Sequence, residues 1–147
     1  MGSTVQTVLQ VTAQIFVDIK DFILANKERV LVVDDDPAML RGVARVLRTH
    51  GYEPVLFPTA EAFKNHNDFE EAACIILDIN LNDGSGIERR KRLTAAHISV
   101  PVNYITANEN PAVHAAALQS GCLAYLTKPF SANSLLDPLK AASLGRA

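Results

Sequence analysis

Five short apolar runs, set apart by segments with helical periodicity, constrain this chain more than any other feature. The runs are VLVV (30–33), YEPVLF (52–57), ACIILDI (73–79), PVNYIT (101–106) and LAYL (123–126). They are rich in Val, Ile, Leu and Tyr, and most are bounded by turn residues, as strands are. The first, third and fourth are almost continuously apolar, which suits strands covered on both faces. Helix signals fill the gaps. Asp36 is a good N-cap and Pro37 a good first residue for a helix reaching about His50 and stopping at Gly51. A short helix follows Thr59, and another starts near Ser85 with the basic cluster Arg89, Arg90, Lys91 and Arg92. Pro111 opens a fourth that ends at Gly121. Ser131 caps a fifth, which Pro138 should kink or delay. Strands alternating with helices predict an open, doubly wound parallel α/β sheet with helices on both faces.

Residues 4–26 stand outside that alternation. Val5, Val8, Thr12, Ile15, Ile19 and Phe22 recur with 3-4-3-4-3 spacing, flanked by Leu9, Phe16 and Ile23. On a helix these positions form an apolar stripe of roughly 140°, with Gln6, Gln10, Gln14, Asp18 and Asp21 largely opposite. Val17 and Leu24 interrupt the polar side. The chain therefore divides into an amphipathic helical extension, residues 1–28, and an α/β domain, residues 29–147. The extension either packs on its own domain or pairs with another copy. Pairing is favoured, because five helices already cover a five-stranded sheet. A membrane-surface role is disfavoured, because the polar face is not basic.

Composition excludes several classes. With 48% hydrophobic and 20% charged residues the chain is a globular protein, not a disordered one. A net charge of −2 offers no basic surplus for nucleic acid or an anionic membrane. No apolar run approaches the ~20 residues of a membrane span, and no secretory signal opens the chain. Cys74 and Cys122 lie in apolar surroundings with no CxxC or Cys/His cluster, as reduced thiols of a cytoplasmic protein would.

In open parallel sheets, sites form at the carboxyl ends of the strands. Those ends carry Asp34 and Asp35, Asp78, Thr106 and, just past the last strand, Lys128. Singly, each is a turn former, a cap or a solvated lysine. Together they put three carboxylates on one edge, which a hard divalent cation such as Mg²⁺ would make tolerable. Phosphoryl transfer follows: the metal and Lys128 neutralise the phosphoryl oxygens, Thr106 donates to one, and a carboxylate can be the nucleophile. Asp78, on a central strand, is the best placed.

The segments VLVVDDD (30–36), LDINLNDGSG (77–86), YITAN (104–108) and YLTKPF (125–130) resemble, in order and spacing, the response-regulator receiver domains of two-component signalling. The spacings are 43 positions from Asp35 to Asp78, 28 on to Thr106 and 22 on to Lys128. The resemblance covers about residues 29–144 and implies a flavodoxin-like (βα)5 fold. It implies that Asp78 is the phosphoacceptor, served by a histidine kinase or a histidine phosphotransfer protein. Asp35 would bind Mg²⁺ directly, Asp34 through water, and the backbone carbonyl of Asn80 would add a ligand. Lys128 would pair with the phosphoryl group, or with Asp78 before it arrives, and the Lys128–Pro129 bond would be cis. Thr106 and Tyr125 would be the switch residues, with the small Ala107 leaving access for phosphate.

Two departures stand out: the family usually has proline where Asn82 stands, which should loosen that loop, and Asp83 adds a carboxylate near the site. With nothing after about residue 144 to form a DNA-binding module, the expectation is a signalling receiver without its own output domain. Phosphorylation would alter its self-association through residues 4–26, through the face made by the fourth helix, fifth strand and fifth helix of the (βα)5 unit, or through both. The alternatives are a degenerate or excised receiver acting as an interaction module, and a haloacid-dehalogenase-type phosphatase with its nucleophile at Asp34. The residues after Asp36 do not fit that phosphatase motif.

Overall fold

The computed structural model describes residues 2–25 and 27–144. The chain runs α1 (Gly2–Ala25), β1 (Arg29–Val33), α2 (Pro37–Thr49), β2 (Glu53–Phe57), α3 (Ala60–Lys64) and β3 (Ala72–Asp78). It continues through β4 (Asn80–Leu81), β5 (Gly84–Ser85), α4 (Gly86–Ala95), β6 (Val102–Thr106), α5 (Pro111–Gln119), β7 (Ala124–Thr127) and α6 (Ala132–Leu144). Five strands form one parallel sheet in the order β2-β1-β3-β6-β7, and β4 and β5 form a separate two-stranded antiparallel ribbon. The five apolar runs are the five strands, within a residue or so at each end. The β4–β5 ribbon was not anticipated, because strands of two residues carry no periodicity.

Caps fix the helices locally. Asp36 accepts from the Ala38 amide at 3.0 Å, and Thr59 from the Ala62 amide at 3.0 Å. Asn110, rather than Pro111 alone, starts α5 by accepting from Ala112 at 2.9 Å and Val113 at 3.3 Å. Ser85 occupies the N-cap of α4 without a side-chain cap bond. Gly51 (φ 86°) and Gly121 (φ 79°) take the left-handed conformation that ends α2 and α5 at no steric cost. Ser131 accepts from the Ser134 amide at 3.1 Å, and α6 begins at Ala132 and runs through Pro138. The proline therefore does not delay the helix. It removes the N–H that would have met the Ser134 carbonyl.

The sheet is covered on both faces. On one, Leu31, Val33, Ile75, Leu77 and Tyr104 pack with residues of α3, α4 and α5. On the other, Val30, Val32, Ile76 and Ile105 meet α2 and α6. Strand β3, the centre, is buried at every position. Alternation along β6 puts Asn103 on the α6 side with Ile105. Asn103 is fully buried, and neither its amide nitrogen nor its oxygen has a partner among the described residues. Such an orphan costs about 1–3 kcal/mol.

The extension is a helix, as the periodicity predicts, but it does not bury its stripe on its own domain. Val5, Leu9 and Phe16 are 61%, 64% and 70% exposed.

Candidate functional site

Chain order places the reversal of winding between β1 and β3: β2 lies on one side of β1, while β3, β6 and β7 follow on the other. Ligand sites form in the crevice outside such a point. Asp34 and Asp35 leave β1 there and Asp78 ends β3 beside them. One carboxylate oxygen from each of the three lies within 4.8 Å of the others. Asp34 is fully buried, and Asp78 is 3% exposed.

A single ammonium offsets this charge. Lys128, just past β7, donates to Asp34 Oδ2 at 2.7 Å and to Asp78 Oδ2 at 3.0 Å. Its own amide bonds the Thr106 carbonyl at 2.7 Å, and the Lys128–Pro129 bond is cis. The lysine thus bridges two aspartates, and the sequence alone points only to the pair with Asp78. The remaining oxygens take backbone donors: Asp34 Oδ1 accepts from Asp36 N at 2.8 Å, and Asp78 Oδ1 from Asn80 N at 3.0 Å. Burial raises the Asp78 pKa above the ordinary carboxylate value. Hydrogen bonds from Lys128 and Asn80 oppose the rise, and the Asp34 charge adds to it. Burial pulls the Lys128 pKa down, but its bonds to Asp34 and Asp78 and their charges outweigh this and leave it raised. Oxygen ligands carrying three carboxylates against one ammonium suit a hard divalent cation.

Thr106 is buried at the end of β6. Its hydroxyl accepts from Asn80 Nδ2 at 3.2 Å and from Asn108 N at 3.2 Å, and donates to the Asn108 carbonyl at 3.1 Å. The Asn80 side chain is thus a second contact that the sequence does not announce, beside the backbone carbonyl. Tyr125 is half-buried on β7 and stacks on His114 of α5, with ring centroids 4.1 Å apart and planes 7° apart. Its hydroxyl is buried without a hydrogen-bond partner among the described residues.

In the loop after Asp78, the Asn82 amide donates to Asp35 Oδ2 at 2.7 Å. A proline has no N–H to offer there. Asp83 lies outside the cluster of three carboxylates. Its carboxylate turns to α3, accepting from Ala60 N at 2.9 Å and Glu61 N at 3.0 Å, and these bonds lower its pKa. The β4–β5 ribbon closes the loop, and Gly86 N bonds the Ile79 carbonyl at 2.9 Å.

Gly86 allows that closure. A Cβ there would fall 2.3 Å from the Asp78 carbonyl oxygen and 3.1 Å from Ile79 Cα, and both are backbone atoms that cannot rotate away. Gly86→Ala should cost at least about 2 kcal/mol, as overpacking against fixed atoms does, and should displace the segment that holds Asp78. Urea denaturation measures this; an unchanged midpoint would contradict the close approach.

The response regulator receiver domain model matches residues 30–140. Nodulation protein W of Bradyrhizobium diazoefficiens is 30% identical over 119 residues, 81% of this chain and 52% of that protein. The transcriptional regulatory protein PrrA of Mycobacterium leprae is 37% identical over 117 residues, 79% of this chain and 50% of that one. The chain spans about half the length of these curated relatives. Among solved structures, the response regulator StyR superposes with a TM-score of 0.73 at 34% identity, covering 82% of this chain and 63% of that one. The BeF3-activated DrrB receiver domain gives 0.72 at 28% identity, covering 80% and 98%. The sheet order, the acidic crevice at its switch point and these matches agree, and the chain belongs to the response-regulator receiver family.

Proposed function

We propose that this chain accepts a phosphoryl group on Asp78 from a phosphohistidine of a histidine kinase or phosphotransfer protein, with Mg²⁺ held by Asp34, Asp35, Asp78 and the Asn80 carbonyl. The observation that carries this reading is the trio of carboxylate oxygens within 4.8 Å at the sheet's switch point, bridged by one lysine. An oxygen of Asp78 attacks phosphorus, the P–N bond to the donor imidazole breaks, and its electron pair stays on that nitrogen. Mg²⁺, when bound, supplies charge neutralisation on the transferring phosphoryl oxygens. Lys128 exchanges its contact with Asp78 for one with a phosphoryl oxygen. Thr106 leaves Asn108 and Asn80 to donate to another. Ala107 is exposed and small beside them, which leaves a way in. Tyr125 serves as the reporter of that movement, and its unpartnered hydroxyl gains hydrogen bonds wherever it reaches water. The chain acts in the cytoplasm as a signalling switch rather than as an enzyme with a turned-over substrate.

The phosphatase alternative needs Asp34 as nucleophile. Asp34 is fully buried, and the residues that follow Asp36 do not fit that phosphatase motif. Incubation with acetyl phosphate and Mg²⁺, followed by peptide mapping, tests the assignment. One phosphoryl group should appear on the peptide carrying Asp78, and none after chelation; label on Asp34 would overturn it. Mg²⁺ alone should raise the melting temperature, because it binds the folded crevice. Asp35→Asn should weaken Mg²⁺ binding at least about tenfold, read by titration calorimetry. A melting temperature indifferent to Mg²⁺ would remove the metal from the mechanism.

A further inference from the structure

α1 carries more exposed apolar surface than any other element described. Val5, Val8, Leu9, Ile15, Phe16 and Ile19 are 52–70% exposed. With Ile23, 54% exposed, they offer on the order of 700 Å², close to the ~800 Å² that each partner buries in a standard interface. We propose that this face pairs with α1 of a second copy of this chain, and that it does so whether or not Asp78 carries a phosphoryl group. The second half of the proposal rests on the receiver reading above; the first half does not.

Three observations favour a second copy. The spacing of Val5, Val8, Thr12, Ile15 and Ile19 alternates three and four, which lets side chains of one helix seat between those of an identical one. The one polar residue in that row is already satisfied: Thr12 Oγ1 donates to the Val8 carbonyl of its own helix at 2.8 Å, so burying it strands no donor. On the far side, Gln14 bonds Asp18 at 3.0 Å, which leaves a solvated polar face. A lipid surface fits worse. The charged residues of α1 are Asp18, Lys20 and Asp21, with no basic band to meet anionic headgroups, and no described helix is long and apolar enough to cross a membrane. The α5–β7–α6 face is the weaker candidate for pairing, offering Leu118 at 58% and Leu123 at 37% as its exposed large apolar residues.

Independence from phosphorylation follows from placement. α1 precedes Arg29, at the amino edge of β1, whereas Asp34, Asp78 and Lys128 gather at the carboxyl edge. The five residues of β1 separate them by about 17 Å.

Sedimentation equilibrium on the full chain tests both halves, with and without beryllofluoride and Mg²⁺ as a phosphoryl mimic. The wild type should show twice the chain mass under both conditions. Ile15→Glu, and separately Ile19→Glu, should weaken the association at least about tenfold, with the thermal midpoint of the α/β domain unchanged. Gln10→Glu, on the polar face, should keep the wild-type mass. A single-chain mass for the wild type under both conditions would overturn the pairing, as would doubled mass retained in both glutamate variants. Doubled mass only after beryllofluoride would overturn the independence. Phosphoryl uptake on Asp78, measured on the same samples, separates failure of the pairing from failure of the receiver assignment.

Discussion

Asp78→Asn should abolish phosphoryl uptake altogether and, without Mg²⁺, leave a fold about 0.5–2 kcal/mol more stable than the wild type. The first effect follows because an amide is not a nucleophile toward phosphorus. The second follows from crowding. Asp78 sits buried beside the buried Asp34 with Lys128 as their common ammonium, and burial raises its pKa. A carboxyl whose folded pKa lies above its unfolded value stabilises the fold relative to its ionised form below the unfolded value. That contribution is lost as pH rises through the folded value. The stability gap between Asp78→Asn and wild type should therefore widen as pH rises from the acid range through the raised pKa, then level off. Thermal melts over a pH series in chelator read this directly. A gap that narrows with rising pH would show that Lys128 more than compensates the second charge. Asp34→Asn should behave differently, since Asp34 holds the Asp36 amide at 2.8 Å and the shorter contact to Lys128.

Lys128→Met carries the largest stability cost expected at the site. Methionine has a similar reach and no charge, so the substitution leaves two buried aspartates without their ammonium. Removing one partner of a buried ionic cluster costs about 3–5 kcal/mol. Lys128 is 14% exposed and contacts Asp34 and Asp78 at 2.7 and 3.0 Å, so solvent offers little relief. Mg²⁺ supplies positive charge to the same oxygens and should recover part of the loss, so the variant should depend on Mg²⁺ more than wild type does. The pH dependence has the opposite limb from that of Asp78. The Lys128 pKa is raised overall, so its stabilisation is complete below the ordinary lysine value and is lost as pH rises through the folded one, in the alkaline range. Urea denaturation with Mg²⁺ and with chelator measures the effect. Equal midpoints for variant and wild type in chelator would show that the aspartates do not need the lysine.

The sheet was legible because its signal is local. VLVV, ACIILDI and PVNYIT read as doubly covered strands without any knowledge of their neighbours, and they are buried almost throughout. The acidic crevice was legible one step later, since parallel winding sends every strand's last residue to one edge. What stayed hidden depends on pairings that only the folded chain creates. The Asn82 amide meets Asp35 across 47 positions, and a backbone N–H leaves no mark in the residue type. Lys128 reaches Asp34 across 94 positions, so its second carboxylate could not be told from spacing. Asp83 reads only as a carboxylate near the site, because sequence gives its charge and not its direction, and it faces the start of α3. His114 on Tyr125 is a contact between α5 and β7 that no periodicity encodes. The stripe on residues 4–26 was plain, but periodicity says only that a helix has an apolar face, not what lies against it.

Pro138 and Asn103 have a joint consequence. One takes a hydrogen bond out of α6, and the other puts an unsatisfied amide into the face of the sheet that α6 and α2 cover. Both lower the work of lifting α6 away from β6, since α6 holds one internal hydrogen bond fewer and departure lets water reach the Asn103 amide. Leu135, Leu136 and Leu139 hold the helix down from the same side. The attachment of α6 is therefore a balance between three leucines and two deliberate-looking gaps, whereas β3, buried at every residue, has no such release. Opening of this molecule should thus be graded, with its last helix coming away in excursions that leave β3 closed.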